Sequence, residues 1–244
     1  DSVRLGFTVE QTTLALDPLS APPRYFAFVN EFGETTNTFR TNIGYARDTR
    51  DSLIYPTRGW YTEVGVEVGL PPGDLTYYRA SFQQQYLYTA PWPGWLTLLL
   101  NGELGYADGY DDKPLPFFKN FYAGGVGSVR GFEAASLGPR DLNGDVLGGD
   151  RRIIGNVEFL FPMPGIKDKS VRLSGFVDAG NVWGAEQEVS GSDLPASAAV
   201  AMSWDSPVPS RRPSVRTDGR SARSESVLPV ATAARKRSTN PSRP

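Results

Sequence analysis

The sequence predicts an all-β fold, an antiparallel transmembrane β-barrel represented here by about eight strands. Three observations carry that prediction. Residues 1–204 divide into about eight segments in which apolar and polar side chains alternate, the period of a strand with two unlike faces. Aromatic residues gather at the segment ends (Trp60, Tyr61, Tyr88, Trp92, Trp95, Tyr106, Trp204), as an interfacial girdle requires. No apolar run approaches the roughly 20 residues that a membrane-crossing helix needs, so a crossing would have to be made by strands.

The segments follow in order. Val3–Glu10 and Phe39–Tyr45 alternate weakly and are joined by the connection Ala15–Asn37. The clearest pattern sets Trp60, Thr62, Val64, Val66 and Val68 against Tyr61, Glu63, Gly65, Glu67 and Gly69. Tyr78–Tyr88 follows. Leu96, Leu98, Leu100, Leu104 and Tyr106 then oppose Thr97, Asn101, Glu103 and Gly105, with Leu99 as the exception. Val157, Phe159 and Phe161 oppose Asn156, Glu158 and Leu160; Val171, Leu173, Val177 and Ala179 oppose Arg172, Ser174, Asp178 and Gly180; Ala198–Trp204 closes the series. A soluble sheet with one face on a core would alternate in the same way. The barrel is favoured because the polar faces carry Glu and Arg beside Gly, which suits a wet or plugged lumen. Connection lengths point the same way. One side receives Ala15–Asn37, Leu70–Thr76, Ala107–Asp150 and Asn181–Pro195, the other Arg47–Thr57, Ala90–Gly94 and Pro162–Ser170. The first set is longer, as outer loops are, although Leu70–Thr76 breaks the rule.

Ala107–Asp150 is far longer than an ordinary connection. It contains Phe121-Tyr122-Ala123-Gly124-Gly125-Val126-Gly127-Ser128-Val129-Arg130-Gly131-Phe132, then Leu137-Gly138-Pro139-Arg140-Asp141. Packed glycines among aromatics suggest backbone that closely approaches a neighbour. On residue types alone, a glycine-rich surface loop with a solvated arginine is the favoured reading of the stretch.

The run Gly124 to Phe132, centred on Val129-Arg130-Gly131-Phe132, resembles the signature of the bacterial surface antigen barrel family, the outer-membrane protein assembly factors. Further matches stand in the family's order. Arg47-Asp48-Thr49-Arg50-Asp51 and Pro56-Thr57-Arg58-Gly59 resemble its turn motif, and Phe117-Phe118-Lys119-Asn120-Phe121 leads into the signature. Phe176-Val177-Asp178-Ala179-Gly180-Asn181-Val182-Trp183 resembles a late strand. The resemblance covers roughly residues 1–207 and implies the C-terminal half of a sixteen-stranded barrel behind POTRA domains. It further implies a signature loop (Gly127, Val129, Arg130, Gly131, Phe132) folded into the lumen, where Arg130 meets Glu158 and Asp178. Alternation places both carboxylates on the polar face of adjacent strands, and a guanidinium fork suits paired carboxylates. The implied function is assembly and insertion of β-barrel proteins into the bacterial outer membrane. Its partners would be the lipid bilayer, unfolded client proteins and accessory lipoproteins reached through POTRA domains. A two-partner secretion pore of the same superfamily is the alternative. In the family the first and last strands meet at a seam that opens toward lipid; eight strands without that seam leave two unpaired edges.

An enzyme is not expected. The chain has neither Cys nor His, which removes thiolate nucleophiles, His-based acid–base chemistry and most zinc sites, and no cofactor is implied. Asp111/Asp112 and Asp141/Asp145 read as solvated loop charge. The family pattern stops after Trp204-Asp205-Ser206-Pro207. Residues 205–244 carry nine Lys/Arg against three Asp/Glu, a net of +6 that leaves −8 for the rest of a chain of net −2. Residues 208–244 read as a disordered basic tail rich in Ser, Arg and Pro, foreign to the family as a shifted reading frame would be. Without interleaved aromatics it gives no sign of nucleic-acid binding.

Overall fold

The computed structural model describes residues 1–18, 21–141, 143–163, 171–184 and 195–204, and for residues 171 and 200–204 the backbone alone. Eight strands form one antiparallel sheet in sequence order: β1 (Ser2–Thr13), β2 (Thr35–Asp48), β3 (Gly59–Leu70), β4 (Tyr77–Thr89), β5 (Thr97–Gly109), β6 (Arg151–Pro162), β7 (Val171–Trp183) and β8 (Ala196–Trp204). The segments read from the sequence all correspond to strands, most of them longer than the alternation alone defined. Each of β1 to β7 has at least the nine to eleven residues that cross a bilayer at a tilt. Among the described residues β1 and β8 pair on one side only. No helix among them is long and apolar enough to cross a membrane, which leaves crossing by strands open.

The register separates two faces. On the outer one, Leu5 pairs with Ile43, Ile43 with Val66, Val64 with Phe82, Phe82 with Leu104 and Leu104 with Ile153. These side chains are exposed, Leu5 to 79%, because nothing among the described residues covers them. On the inner face one row runs Asp48, Tyr61, Gln85, Asn101, Asn156, Asp178 and Ser197 through seven strands. A one-residue slip would turn that row toward hydrocarbon, so the alternation fixes the register. Leu99, out of pattern in the sequence, takes an inner position between Leu87 and Glu158.

The core lies between the inner wall and the long β5–β6 connection. Phe121, Ala123, Val129 and Leu137 from the connection pack on Ala107, Ile154 and Val182 from the wall. A second cluster closes one mouth of the sheet: Phe28, Leu75 and Tyr77, with Leu14, Phe32, Leu115, Phe117 and Phe118 around them. Phe28 belongs to α1 (Pro23–Phe32), a helix inside a connection that carried no expected structure. Pro23 starts it with a preset φ, and Gly33, at φ +85°, ends it. The short β3–β4 connection is explained by its ties to β2: the Asn37 amide donates to Asp74 Oδ2 at 2.6 Å and the Asp74 amide returns to Asn37 O at 2.8 Å. Most of the connections expected at Pro162–Ser170 and Asn181–Pro195, the Trp204 side chain and the tail at 208–244 lie outside the described residues.

Candidate functional site

The long connection folds back onto the inner wall and delivers Arg130 to β6 and β7. Local sequence makes this possible. Gly124 turns at φ +109°, and a Cβ there would stand 2.4 Å from the Glu133 carbonyl. Gly131 turns at φ +86° against Ser197 of β8. Between these turns Val129 is fully buried, its Cγ2 against Gly180, the one inner position of β7 where no side chain intervenes.

Arg130 donates from all three of its guanidinium nitrogens. Its Nε donates to Asp178 Oδ2 at 2.6 Å, Nη2 to Asp178 Oδ1 at 2.7 Å, and Nη1 to Glu158 Oε2 at 2.9 Å. Its own amide adds a bond to Asp178 Oδ2 at 3.0 Å, and Ser197 Oγ donates to its carbonyl. The guanidinium lies over the Phe176 ring, 3.6 Å from the centroid. Asp178 is fully buried, Glu158 17% and Arg130 20% exposed along the side chain. Burial works against the charged guanidinium, but bonding to Asp178 and the charge of Glu158 outweigh it, holding Arg130 above the ordinary arginine value. A bidentate, charge-assisted fork of this kind is both directional and costly to break.

The structure therefore brings Arg130, Glu158 and Asp178 together, with Val129 and Gly131 beside them and Phe132 half-buried on the adjoining core. Gly127 stands apart: it is exposed at the loop tip and has open space where a Cβ would go. Asp141 is a turn acceptor for the amides of Asn143 and Asp145. Sequence reasoning missed other ties of the loop. A side-chain ladder runs from Gln83 to Asn101 to Asn156, which donates to the Ser128 carbonyl at 2.7 Å. Phe121 lies over Gly105, with the guanidinium of Arg79 at 4.1 Å and that of Arg152 at 5.3 Å from its ring. The inward polar positions of β4 to β6 were the available signal, yet alternation alone does not show which of them the loop reaches. Among the described residues no three acidic side chains cluster as metal ligands do.

Comparison with known proteins agrees with this geometry. The domain description of the Omp85 superfamily matches residues 1–215. The outer membrane protein assembly factor BamA of Neisseria meningitidis is 41% identical over 197 residues, 75% of this chain and 24% of that protein. A SAM50-like protein of Schizosaccharomyces pombe is 32% identical over 142 residues, 57% of this chain and 30% of that one. The crystal structure of Haemophilus ducreyi BamA lacking POTRA domains 1–3 superposes with a TM-score of 0.72 at 25% identity, covering 84% of this chain and 45% of that one. The chain thus spans about a quarter of the length of the Neisseria relative. A wall of eight antiparallel strands with a loop folded onto its inner face, the family match over residues 1–215 and a relative 41% identical lead to one placement: the chain belongs to the Omp85 superfamily.

Proposed function

We propose that this chain is the loop-bearing half of an outer-membrane barrel that assembles and inserts other β-barrel proteins, making and breaking no covalent bonds. One observation carries the reading. A long loop is held on the inner wall through Arg130, Glu158 and Asp178 in a chain 41% identical to a bacterial assembly factor. Support comes also from the relatives' names, which are assembly factors in bacteria and sorting and assembly components in eukaryotes. The apolar outer face fits a bilayer. Eight strands against 45% of the Haemophilus chain fit half of a larger barrel. Unfolded outer-membrane proteins are the proposed clients, and accessory lipoproteins would be reached through POTRA domains. In this reading the pinned loop stiffens the wall while lipid-side edges accept incoming strands.

The test replaces the matching segment of Neisseria BamA with residues 1–204 and measures client folding in lipid vesicles by heat-modifiable gel mobility. Folding accelerated as by the parent supports the proposal. A chimera that inserts as a barrel yet leaves client folding at the vesicle-only rate refutes it, and secretion of a soluble substrate through that chimera would favour the transporter alternative.

A further inference from the structure

A second set of contacts holds the same loop far from Arg130. Lys119 Nζ donates to Glu67 Oε1 on β3 at 2.7 Å. The Tyr77 hydroxyl of β4 donates to that oxygen at 2.5 Å, and Arg40 of β2 donates to Glu67 Oε2 at 3.0 Å. Lys119 and Glu67 are 16% and 18% exposed, so this pair is nearly as sheltered as that of Arg130 and Glu158. Nonpolar packing reinforces it. Tyr25 of α1 stacks on Phe117 at 3.9 Å, and Phe28 meets the edges of Phe117 and Phe118 at 5.5 and 6.0 Å. The Tyr110 hydroxyl donates to Gly69 O, and Thr76 Oγ1 to Tyr110 O at 2.7 Å.

The sheet order places β3 four strands away from β7, with β4, β5 and β6 between the two sets of contacts. Glu67 is fixed from β2 by Arg40 and from β4 by Tyr77 while it accepts from Lys119, and α1 caps the aromatic residues beside Lys119, which is more than a lysine facing lumen water would have around it. A pair at one end of the loop leaves the other end free to lift, whereas ties at both ends make the loop a strut across the intervening strands. We infer that Glu67 and Lys119 form a second anchor of the in-folded loop, independent of Arg130, so that the loop braces the sheet between β3 and β7. α1 covers this anchor, which ties the β1–β2 connection to the loop. Glu67 and Lys119 act here as positioning residues; their bearing on client insertion rests on the function proposed above, but the anchor does not.

The test uses the full-length protein in lipid vesicles with one introduced thiol, Thr76→Cys, a position 3% exposed at the end of the β3–β4 connection, beneath Tyr110. The chain has no cysteine of its own. Lys119→Met is expected to raise maleimide labelling of that thiol by about tenfold or more, the scale of a lost charge-assisted bond, while Lys119→Arg restores protection. Glu67→Gln is expected to match Lys119→Met, and combining them to add little. Arg130→Ala is expected to leave the thiol protected while exposing a second reporter, Ala123→Cys, buried near the first anchor. Heat-modifiable mobility confirms that each variant is a folded barrel. Labelling that stays slow in Lys119→Met, or rises equally in Arg130→Ala, overturns the second anchor. Raised labelling with client insertion unchanged upholds the anchor and shows that insertion does not depend on it.

Discussion

Removal of Arg130 should release the signature loop locally and leave the strands paired. Arg130→Ala deletes three side-chain hydrogen bonds and the contact with Phe176, and leaves the fully buried Asp178 with a single donor among the described residues, the residue 130 amide. Breaking a buried pair by removing one partner costs about 3–5 kcal/mol. The lower end applies because water reaches 20% of the Arg130 side chain and 17% of Glu158. About 3 kcal/mol corresponds to a little over a hundredfold in the opening equilibrium. The assay is amide hydrogen exchange of the full-length protein in detergent micelles. Gly124 and Gly125, whose amides donate to Ser128 Oγ and Val129 O, report on this end of the loop. Their exchange should accelerate by about a hundredfold, with amides within β4 and β5 unchanged. Arg130→Lys keeps the charge and loses the fork, so it should fall between. Asp178→Asn should exceed Glu158→Gln, since Asp178 accepts three bonds from Arg130 and Glu158 one. Unaccelerated exchange at Gly124 and Gly125 in Arg130→Ala, or an Arg130→Lys protein indistinguishable from the parent, would refute the reasoning.

Gly131→Ala should destabilise the loop by about 1–3 kcal/mol, because φ +86° is strained for a side chain and the new Cβ would meet Ser197 Cβ at 3.1 Å; a lower temperature for loss of heat-modifiable mobility checks this. Burial pushes the Asp51 carboxyl up, but bonds from the Thr57 hydroxyl and the Thr57 and Arg58 amides outweigh it and hold the pKa at about 2. A carboxylate depressed on folding stabilises above its unfolded value of about 3.9 and loses that contribution as pH falls through about 2. Protease sensitivity of the β2–β3 turn should therefore rise across that window in the parent and stay flat in Asp51→Asn, and parallel curves would contradict it. On the outer face Thr62 Oγ1 donates to Gln84 Oε1 at 2.7 Å. Replacing both by Val and Leu should leave stability in bilayers unchanged or raised, since neither group is then left unpaired; a loss beyond about 1 kcal/mol in chemical unfolding would mean that the pair does more.

Strand existence and facing were legible because lipid on one side and loop or water on the other impose period two, and β3 shows it in every residue from Trp60 to Gly69. The motif match named Arg130, Glu158 and Asp178 together, and the alternation independently put both carboxylates inside. Helix α1 was not legible: ten residues with a proline start and four aromatics resemble a loop until Phe117, Phe118 and Leu75 are there to cover. The contact of Lys119 with Glu67 escaped for a similar reason. Glu67 was correctly set on the polar face, but no local pattern tells a carboxylate facing water from one facing a lysine 52 residues later. Gly127, chosen from the motif, has neither a positive φ nor a close neighbour to explain it.

At the opposite end of the sheet, Arg172 Nη1 of β7 donates to the Pro56 carbonyl in the β2–β3 turn at 3.1 Å, across 116 residues of chain. Hairpins between successive strands close small loops and need no such reach, so the wall can grow by zippering while this contact waits. Built strand by strand in sequence order, the wall would bring Glu67 to Lys119 before β6 pairs, Arg130 to Glu158 with β6 and to Asp178 with β7, and only then Arg172 to Pro56. A wall that ended at β6 would hold the loop through Glu67 and Glu158, without Asp178, and leave the far end untied.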